Sequence, residues 1–140
     1  MRWSDIYKLT WSEIRENQGK YSIVFRQQKT QDLNYLPLSE QAFHYLGERG
    51  KDSDKVFRLL VYKANLSHRL QLWCSDAGFN KPLTFHSGRH TFAVLQLSFG
   101  TSIFTLQKLL GHRDIKSTMV YANIVDRVKE DAMNVIPNIL

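Results

Sequence analysis

Hydrophobic and polar positions follow two rhythms along this chain. Near the N-terminal end Tyr21-Ser22-Ile23-Val24-Phe25-Arg26 is apolar, β-branched and aromatic, and predicts a strand. Leu33 to Leu36 predicts its partner, with the polar stretch Gln27 to Asp32 as the hairpin turn and Pro37 as the stop, because proline lacks a ladder donor. Residues 4–10 have helical spacing, with Trp3, Ile6 and Thr10 on one side and Leu9 close by. Ser39 predicts the cap of a helix that buries Ala42, Phe43 and Leu46 and closes at Gly47. Residues 48–55 read as a solvated loop. Beyond them the pattern is helical almost throughout. Asn65 to Ala77 carries Leu66, Leu70 and Trp73 and stops at Gly78. Thr84 caps a helix that runs to Phe99, with Gly100 after it, and Ser102 caps one with Ile103, Leu106 and Leu110 that ends at Gly111. A short helix from Ser117 to Ala122 and a last one from Val125 to Val135 complete the pattern. A few strands followed by many helices predict an α+β fold, mostly α-helical with a small antiparallel sheet. There is no internal repeat and no low-complexity tract.

Composition adds a partner class. The 140 residues are 43 % hydrophobic, enough to build the core of one domain. Nineteen lysines and arginines face 13 acids, a net charge of +6. That excess favours a polyanion, nucleic acid ahead of an anionic membrane. The single Cys74 excludes an internal disulfide framework and a zinc site built on cysteine pairs. No apolar run approaches the ~20 residues of a membrane span, and Met1-Arg2-Trp3-Ser4-Asp5 shows no apolar leader. The expectation is a cytoplasmic protein with no membrane partner. A helix that starts at the second residue has lost its upstream context, so an N-terminal truncation is also expected.

Four clusters could carry chemistry. In Thr84-Phe85-His86-Ser87-Gly88-Arg89-His90, His86 and Arg89 are three apart and share a helix face. Together they could present an imidazole and a planar guanidinium fork to one phosphate; an ordinary basic surface patch is the plainer alternative. His86 and His90 also have the four-residue spacing of zinc-protease helices, but Ser87 stands where the general-base glutamate belongs and no third ligand is evident. In Leu110-Gly111-His112 the histidine follows a glycine cap, where the plainer role is a partner for the helix dipole. Tyr121, nine residues on, could be a nucleophile or a core tyrosine with a tethered hydroxyl. Arg2 and Lys29, taken singly, are a surface arginine near a terminus and a lysine at a turn.

In order and spacing, these clusters resemble the tyrosine recombinases, also called the phage integrase family. Arg2-Trp3-Ser4-Asp5-Ile6-Tyr7-Lys8-Leu9-Thr10-Trp11 is similar to the family's first motif, Arg-x-Ser-Glu/Asp-x-x-x-Leu-x-Trp. Lys29-Thr30, followed by Pro37-Leu38, is similar to its lysine hairpin. His86 to Arg89 resembles the His-x-x-Arg box, extended by His90-Thr91-Phe92-Ala93, and Leu110-Gly111-His112 resembles the Leu-Gly-His box with Tyr121 at the nucleophile's distance. Gly88 departs from the larger apolar residue more common at its position. The resemblance covers residues 1 to about 124 and implies a single, N-terminally truncated catalytic domain, its upstream DNA-binding domains absent.

What the resemblance implies is a site-specific recombinase or integrase of a mobile element, acting through a 3′-phosphotyrosyl intermediate without metal, cofactor or ATP. Its site residues would be Arg2, Lys29, His86, Arg89, His112 and Tyr121. Fixed cations at Arg2 and Arg89, with His112 as a further donor, would stabilise the charge that builds on the phosphate. A phenol, with a solution pKa of about 10, needs a base, for which His86 is the candidate. Lys29 would protonate the leaving oxygen, and Asp5 and Asp114 would orient their neighbours. The partners implied are double-stranded DNA, further copies of the protein in a tetrameric synapse, and accessory DNA-bending proteins, in a bacterial, nucleoid-associated setting. Three other readings share these residues: a type IB topoisomerase-like nicking and rejoining enzyme, a DNA-binding or regulatory module without turnover, and a protein whose basic clusters serve only solubility. The apolar tail Val135 to Leu140 is expected to dock on a neighbouring copy or on its own domain.

Overall fold

The structure is a computed structural model that describes residues 1–60 and 65–133. The chain divides into two compact units, Met1–His86 and Ser87–Leu140. Each is described by itself.

The first unit opens with α1 (Trp3–Lys8), then a single 3-10 turn, Trp11–Glu13, and a three-stranded antiparallel sheet: β1 (Ile14–Asn17), β2 (Lys20–Arg26) and β3 (Leu33–Leu38), in the order β1-β2-β3. β2 is the central strand, and the expected β2–β3 hairpin is present. β1 is a strand that the pattern does not reveal, because Ile-Arg-Glu-Asn buries only Ile14 and so shows no alternation. Its two-residue turn, Gln18-Gly19, holds both residues at positive φ (52° and 73°), the geometry of a tight hairpin turn. Glutamine rarely signals that turn. Pro37 does not end β3 as expected. It pairs with Ser22 inside the strand, which tolerates it because β3 is an edge.

Leu9, Trp11, Ile14, Ile23, Phe25 and Val56 form this unit's core. α2 (Glu40–His44) starts at Ser39, whose hydroxyl accepts from the Ala42 N–H, and Phe43 stacks on Tyr21 with ring centroids 3.5 Å apart. Ala42, Phe43 and Leu46 are only partly buried, so the helix covers a sheet rim rather than filling the core. The 48–55 segment is more than a solvated loop. Ser12 and Trp11 donate to the carbonyls of Asp52 and Asp54, and Thr10 bridges to Lys55, tying the segment to the core tryptophan. α3 (Asn65–Asp76) buries Cys74, whereas Trp73 is 64 % exposed.

The unit boundary falls inside α4 (Phe85–Ser98), which ends before Gly100 as expected. The second unit continues with α5 (Ile103–Leu110) and α6 (Lys116–Met133). Ser102 caps α5, its hydroxyl accepting from the Thr105 N–H, and Gly111 closes it in the left-handed conformation at φ 62°. One continuous helix stands where two short ones were expected, because nothing between Ala122 and Val125 breaks the helix: the intervening Asn123 and Ile124 are only mildly unfavourable there. Ala93, Leu106, Leu110 and Tyr121 make the core of this unit. Val135 and the rest of the tail lie outside the described residues. Among the described residues, no helix is long and apolar enough to cross a membrane.

Candidate active site

Arg2 and Lys29 belong to the first unit, and a polar web joins the segments that carry them. Asp5, in the first turn of α1, is buried at 5 % exposure. Its Oδ2 accepts from the Arg2 backbone N–H at 3.0 Å, an anion placed where a helix N-terminus leaves donors unpaired. Its Oδ1 accepts from the Gln28 backbone N–H at 2.9 Å, 23 residues away in the β2–β3 turn. The Arg2 guanidinium donates through Nη1 to Gln27 Oε1 at 2.7 Å, and the Thr30 hydroxyl donates to the same oxygen at 3.0 Å. Gln27 is 2 % exposed, so its amide lies out of water and its bonds act in a low dielectric. Lys8 adds a bond from Nζ to Gln28 Oε1 at 2.8 Å. Lys29 itself is exposed at the tip of the turn, between residues held on both sides.

Asp5 therefore orients its neighbours, as expected from sequence. Gln27 is a residue that sequence reasoning missed. A neutral amide in a polar turn carries no signal until its burial is known.

His86 is exposed in the first turn of α4, and Arg89 follows three residues later on the same helix. Arg89, His112 and Tyr121 belong to the second unit. Arg89 is buried, at 7 % exposure. A buried guanidinium is costly unless its hydrogens find acceptors. Its Nη2 donates to the Leu110 carbonyl at 2.6 Å, at the negative end of α5, and lies 3.0 Å from His112 Nε2. The tight connection after Gly111 brings the histidine there. Its backbone is fixed from both sides, the His112 N–H donating to the Gln107 carbonyl at 3.1 Å and the Gln107 amide donating back to the His112 carbonyl at 3.1 Å. His112 Nδ1 lies 2.9 Å from the hydroxyl of Thr118, a fully buried residue of α6 that the sequence reading did not single out. Asp114 orients the start of that helix, its Oδ1 accepting from the Lys116 N–H at 2.9 Å.

Tyr121 is 4 % exposed, and its ring centroid lies 5.4 Å from that of His90. Among the described residues no hydrogen bond tethers its hydroxyl, which separates it from the core tyrosine whose hydroxyl is held in place. The described residues contain no group of three or more His, Cys, Asp or Glu side chains able to hold a metal ion.

Each unit thus contains a pre-ordered arginine: Arg2, tied to the lysine turn, and Arg89, tied to the Leu-Gly-His turn. A fold of this kind, with its motifs in this order, is that of a tyrosine recombinase catalytic domain. The family model for the phage integrase family matches residues 1–127, and the chain belongs to that family.

Among its relatives, the tyrosine recombinase XerD of Shewanella oneidensis is 29 % identical over 138 residues, covering 89 % of this chain and 45 % of the XerD chain. The tyrosine recombinase XerA of Saccharolobus solfataricus is 58 % identical over 75 residues, covering 54 % of this chain and 24 % of its own. The chain therefore spans about half or less of the length of these curated relatives. Among solved structures, the XerH site-specific recombinase in a post-cleavage complex with a palindromic difH substrate superposes with a TM-score of 0.72 at 18 % identity, covering 96 % of this chain and 42 % of that one. The catalytic domain of bacteriophage HP1 integrase gives a TM-score of 0.63 at 27 % identity, covering 99 % of this chain and 76 % of that one.

Proposed function

We propose that this chain supplies the catalytic part of a site-specific DNA recombinase or integrase of a mobile element, and that Arg2, Lys29, His86, Arg89, His112 and Tyr121 act on one scissile phosphate. The observation that carries the reading is the Arg89–His112 pair: a buried guanidinium and an imidazole held together at a helix terminus, the imidazole in turn contacting Thr118, one turn of α6 before Tyr121.

A phosphodiester repels nucleophiles because it is anionic. Arg2 and Arg89 supply fixed positive charge to its non-bridging oxygens, and His112 adds a donor once its Nε2 carries a proton. His86 accepts the phenolic proton as the Tyr121 oxygen bonds to phosphorus. The 5′ oxygen leaves with the electron pair of the broken P–O bond and takes a proton from Lys29. The bond energy of the phosphodiester is kept in the 3′-phosphotyrosine, so neither ATP nor a metal is needed in this scheme. Attack by another strand's 5′-hydroxyl reverses the steps and completes the exchange. Double-stranded DNA, further copies of the protein in a tetrameric synapse and accessory DNA-bending proteins are the partners the scheme calls for, in the bacterial cytoplasm. The relatives that resemble this chain include a recombinase bound to its DNA substrate, which supports the choice of DNA.

The test uses a pool of nicked suicide duplexes, randomised around the nick, incubated with the protein in EDTA. The expected result is an SDS-resistant protein–DNA adduct that is absent with Tyr121→Phe. DNA binding with no adduct would favour a binding module without turnover. Relaxation of a supercoiled plasmid that carries a single selected site, without joining of paired sites, would favour the type IB topoisomerase-like activity.

A further inference from the structure

We propose that Thr118 is a positioning residue for His112, and that it links the Arg89–His112 pair mechanically to the helix that carries Tyr121. Thr118 lies in the first turn of α6 and is fully buried, at 0 % exposure. A hydroxyl out of water is costly without a partner, and the partner here is His112 Nδ1 at 2.9 Å. The opposite ring nitrogen, Nε2, lies 3.0 Å from Arg89 Nη2.

The two contacts together define the state of the ring. A guanidinium has five donors and no acceptor, so Nε2 must accept. An imidazole that accepts at Nε2 is neutral and carries its hydrogen on Nδ1, and that hydrogen is donated to Thr118 Oγ1. Arg89 therefore sets the tautomer, and the threonine, by accepting from Nδ1–H, fixes the rotation of the ring and holds Nε2 towards the guanidinium. A methyl group in place of the hydroxyl removes that anchor, and the ring is then free to turn, which takes Nε2 away from the guanidinium and releases the tautomer that Arg89 imposes.

The same hydroxyl accepts from Nδ1–H in the imidazolium form as well. His112 can consequently take a second proton on Nε2 and change from acceptor for Arg89 to donor for an anion without giving up its anchor. Thr118 and Tyr121 are three residues apart on one helix face. A displacement of α6 that moves the phenol also moves the anchor of the imidazole. The consequence for strand cleavage rests on the reading of His112 and Tyr121 given above; the consequence for the tautomer does not.

The test has two arms. Long-range 1H–15N correlation on the full chain labelled at histidine reads the His112 nitrogens, assigned by the signals lost in His112→Gln. At a pH where the imidazole is neutral, wild type should show a protonated-type Nδ1 and an unprotonated-type Nε2. Thr118→Val should shift the ring towards the Nε2–H form, and Thr118→Ser should retain the wild-type pattern. A wild-type ring protonated on Nε2 overturns the proposal and needs no variant to be folded. So does a folded Thr118→Val with an unchanged His112 spectrum.

In the second arm, adduct formation on the suicide duplexes should slow in Thr118→Val with DNA affinity retained, and recover in Thr118→Ser. The slowing should be smaller than the about hundred- to thousandfold typical of deleting a transition-state donor itself. A Thr118→Val rate equal to wild type overturns the catalytic consequence. An adduct that persists in Tyr121→Phe would sink the functional reading instead, and leave the tautomer result to decide Thr118 on its own.

Discussion

The proposed chemistry depends on Arg89 more than on any other side chain. It is buried, it ends on the Leu110 carbonyl, and it faces an imidazole nitrogen. Both contacts are made by Nη2, whose two hydrogens lie at fixed angles in the guanidinium plane, unlike those of a freely rotating ammonium. Arg89→Ala should reduce adduct formation about a hundred- to a thousandfold, the range for loss of one oxyanion donor. DNA affinity, measured by filter binding, should change little, because in the proposed complex the backbone charge of the duplex would be shared among the chain's many other lysines and arginines. Equal losses of cleavage and affinity would reduce Arg89 to a DNA contact. Asp5 makes a different kind of prediction. Its carboxylate joins the Arg2 and Gln28 backbone donors, so Asp5→Ala should cost about 1.5–3 kcal/mol of stability, as for hydrogen bonds to a charged group. Urea denaturation reads this as a lower midpoint at constant slope. The six proposed site residues stand out in the sequence because the family resemblance rests on them, by residue type, order and spacing. Gln27 and Thr118 were not, since a neutral polar residue is ordinary anywhere until burial forces it to find a partner.

Elements decide how those side chains are aimed. The β2–β3 turn carries Lys29, and its backbone is closed by the Gln27 N–H donating to the Asp32 carbonyl at 3.0 Å and the Gln31 N–H donating to the Gln27 carbonyl at 2.8 Å. A lysine on so constrained a turn suits delivery of a proton to one place. Lys29→Ala should fail to cleave an ordinary duplex, and a 5′-phosphorothiolate, whose sulfur leaves without needing a proton, should restore cleavage. Failure of the sulfur substrate to rescue would remove the general-acid role. Helices α4 and α5 and the β2–β3 hairpin could be read from the chain because capping residues and periodicity agreed there: Ser102 before α5 and Gly111 after it mark both ends. The misreadings came where local signals conflicted with tertiary context. β1 has one apolar residue, Pro37 sits in an edge strand that does not exclude it, and α6 runs through a stretch that has no strong breaker.

At the scale of the whole molecule, the chain is basic, with a net charge of +6, and belongs to the phage integrase family over residues 1–127. Charge without a reading code binds DNA through its phosphates, so the logarithm of affinity should fall linearly with the logarithm of salt concentration. Fluorescence anisotropy on a short duplex across a salt series measures that slope; an affinity indifferent to salt would contradict the backbone-binding role of the basic surface. The arginines, the lysine, the histidines and the tyrosine are divided between two compact units, Met1–His86 and Ser87–Leu140. Strand cleavage would make them answerable to a single phosphorus atom, and the covalent product records whether they are. The SDS-resistant adduct can be digested with protease and nuclease and its peptide sequenced by mass spectrometry. The expected product is one nucleotide joined through its 3′-phosphate to Tyr121, with a free 5′-hydroxyl on the released strand. A phosphate bonded to any other residue, or a 5′-phosphate linkage at Tyr121, would contradict it.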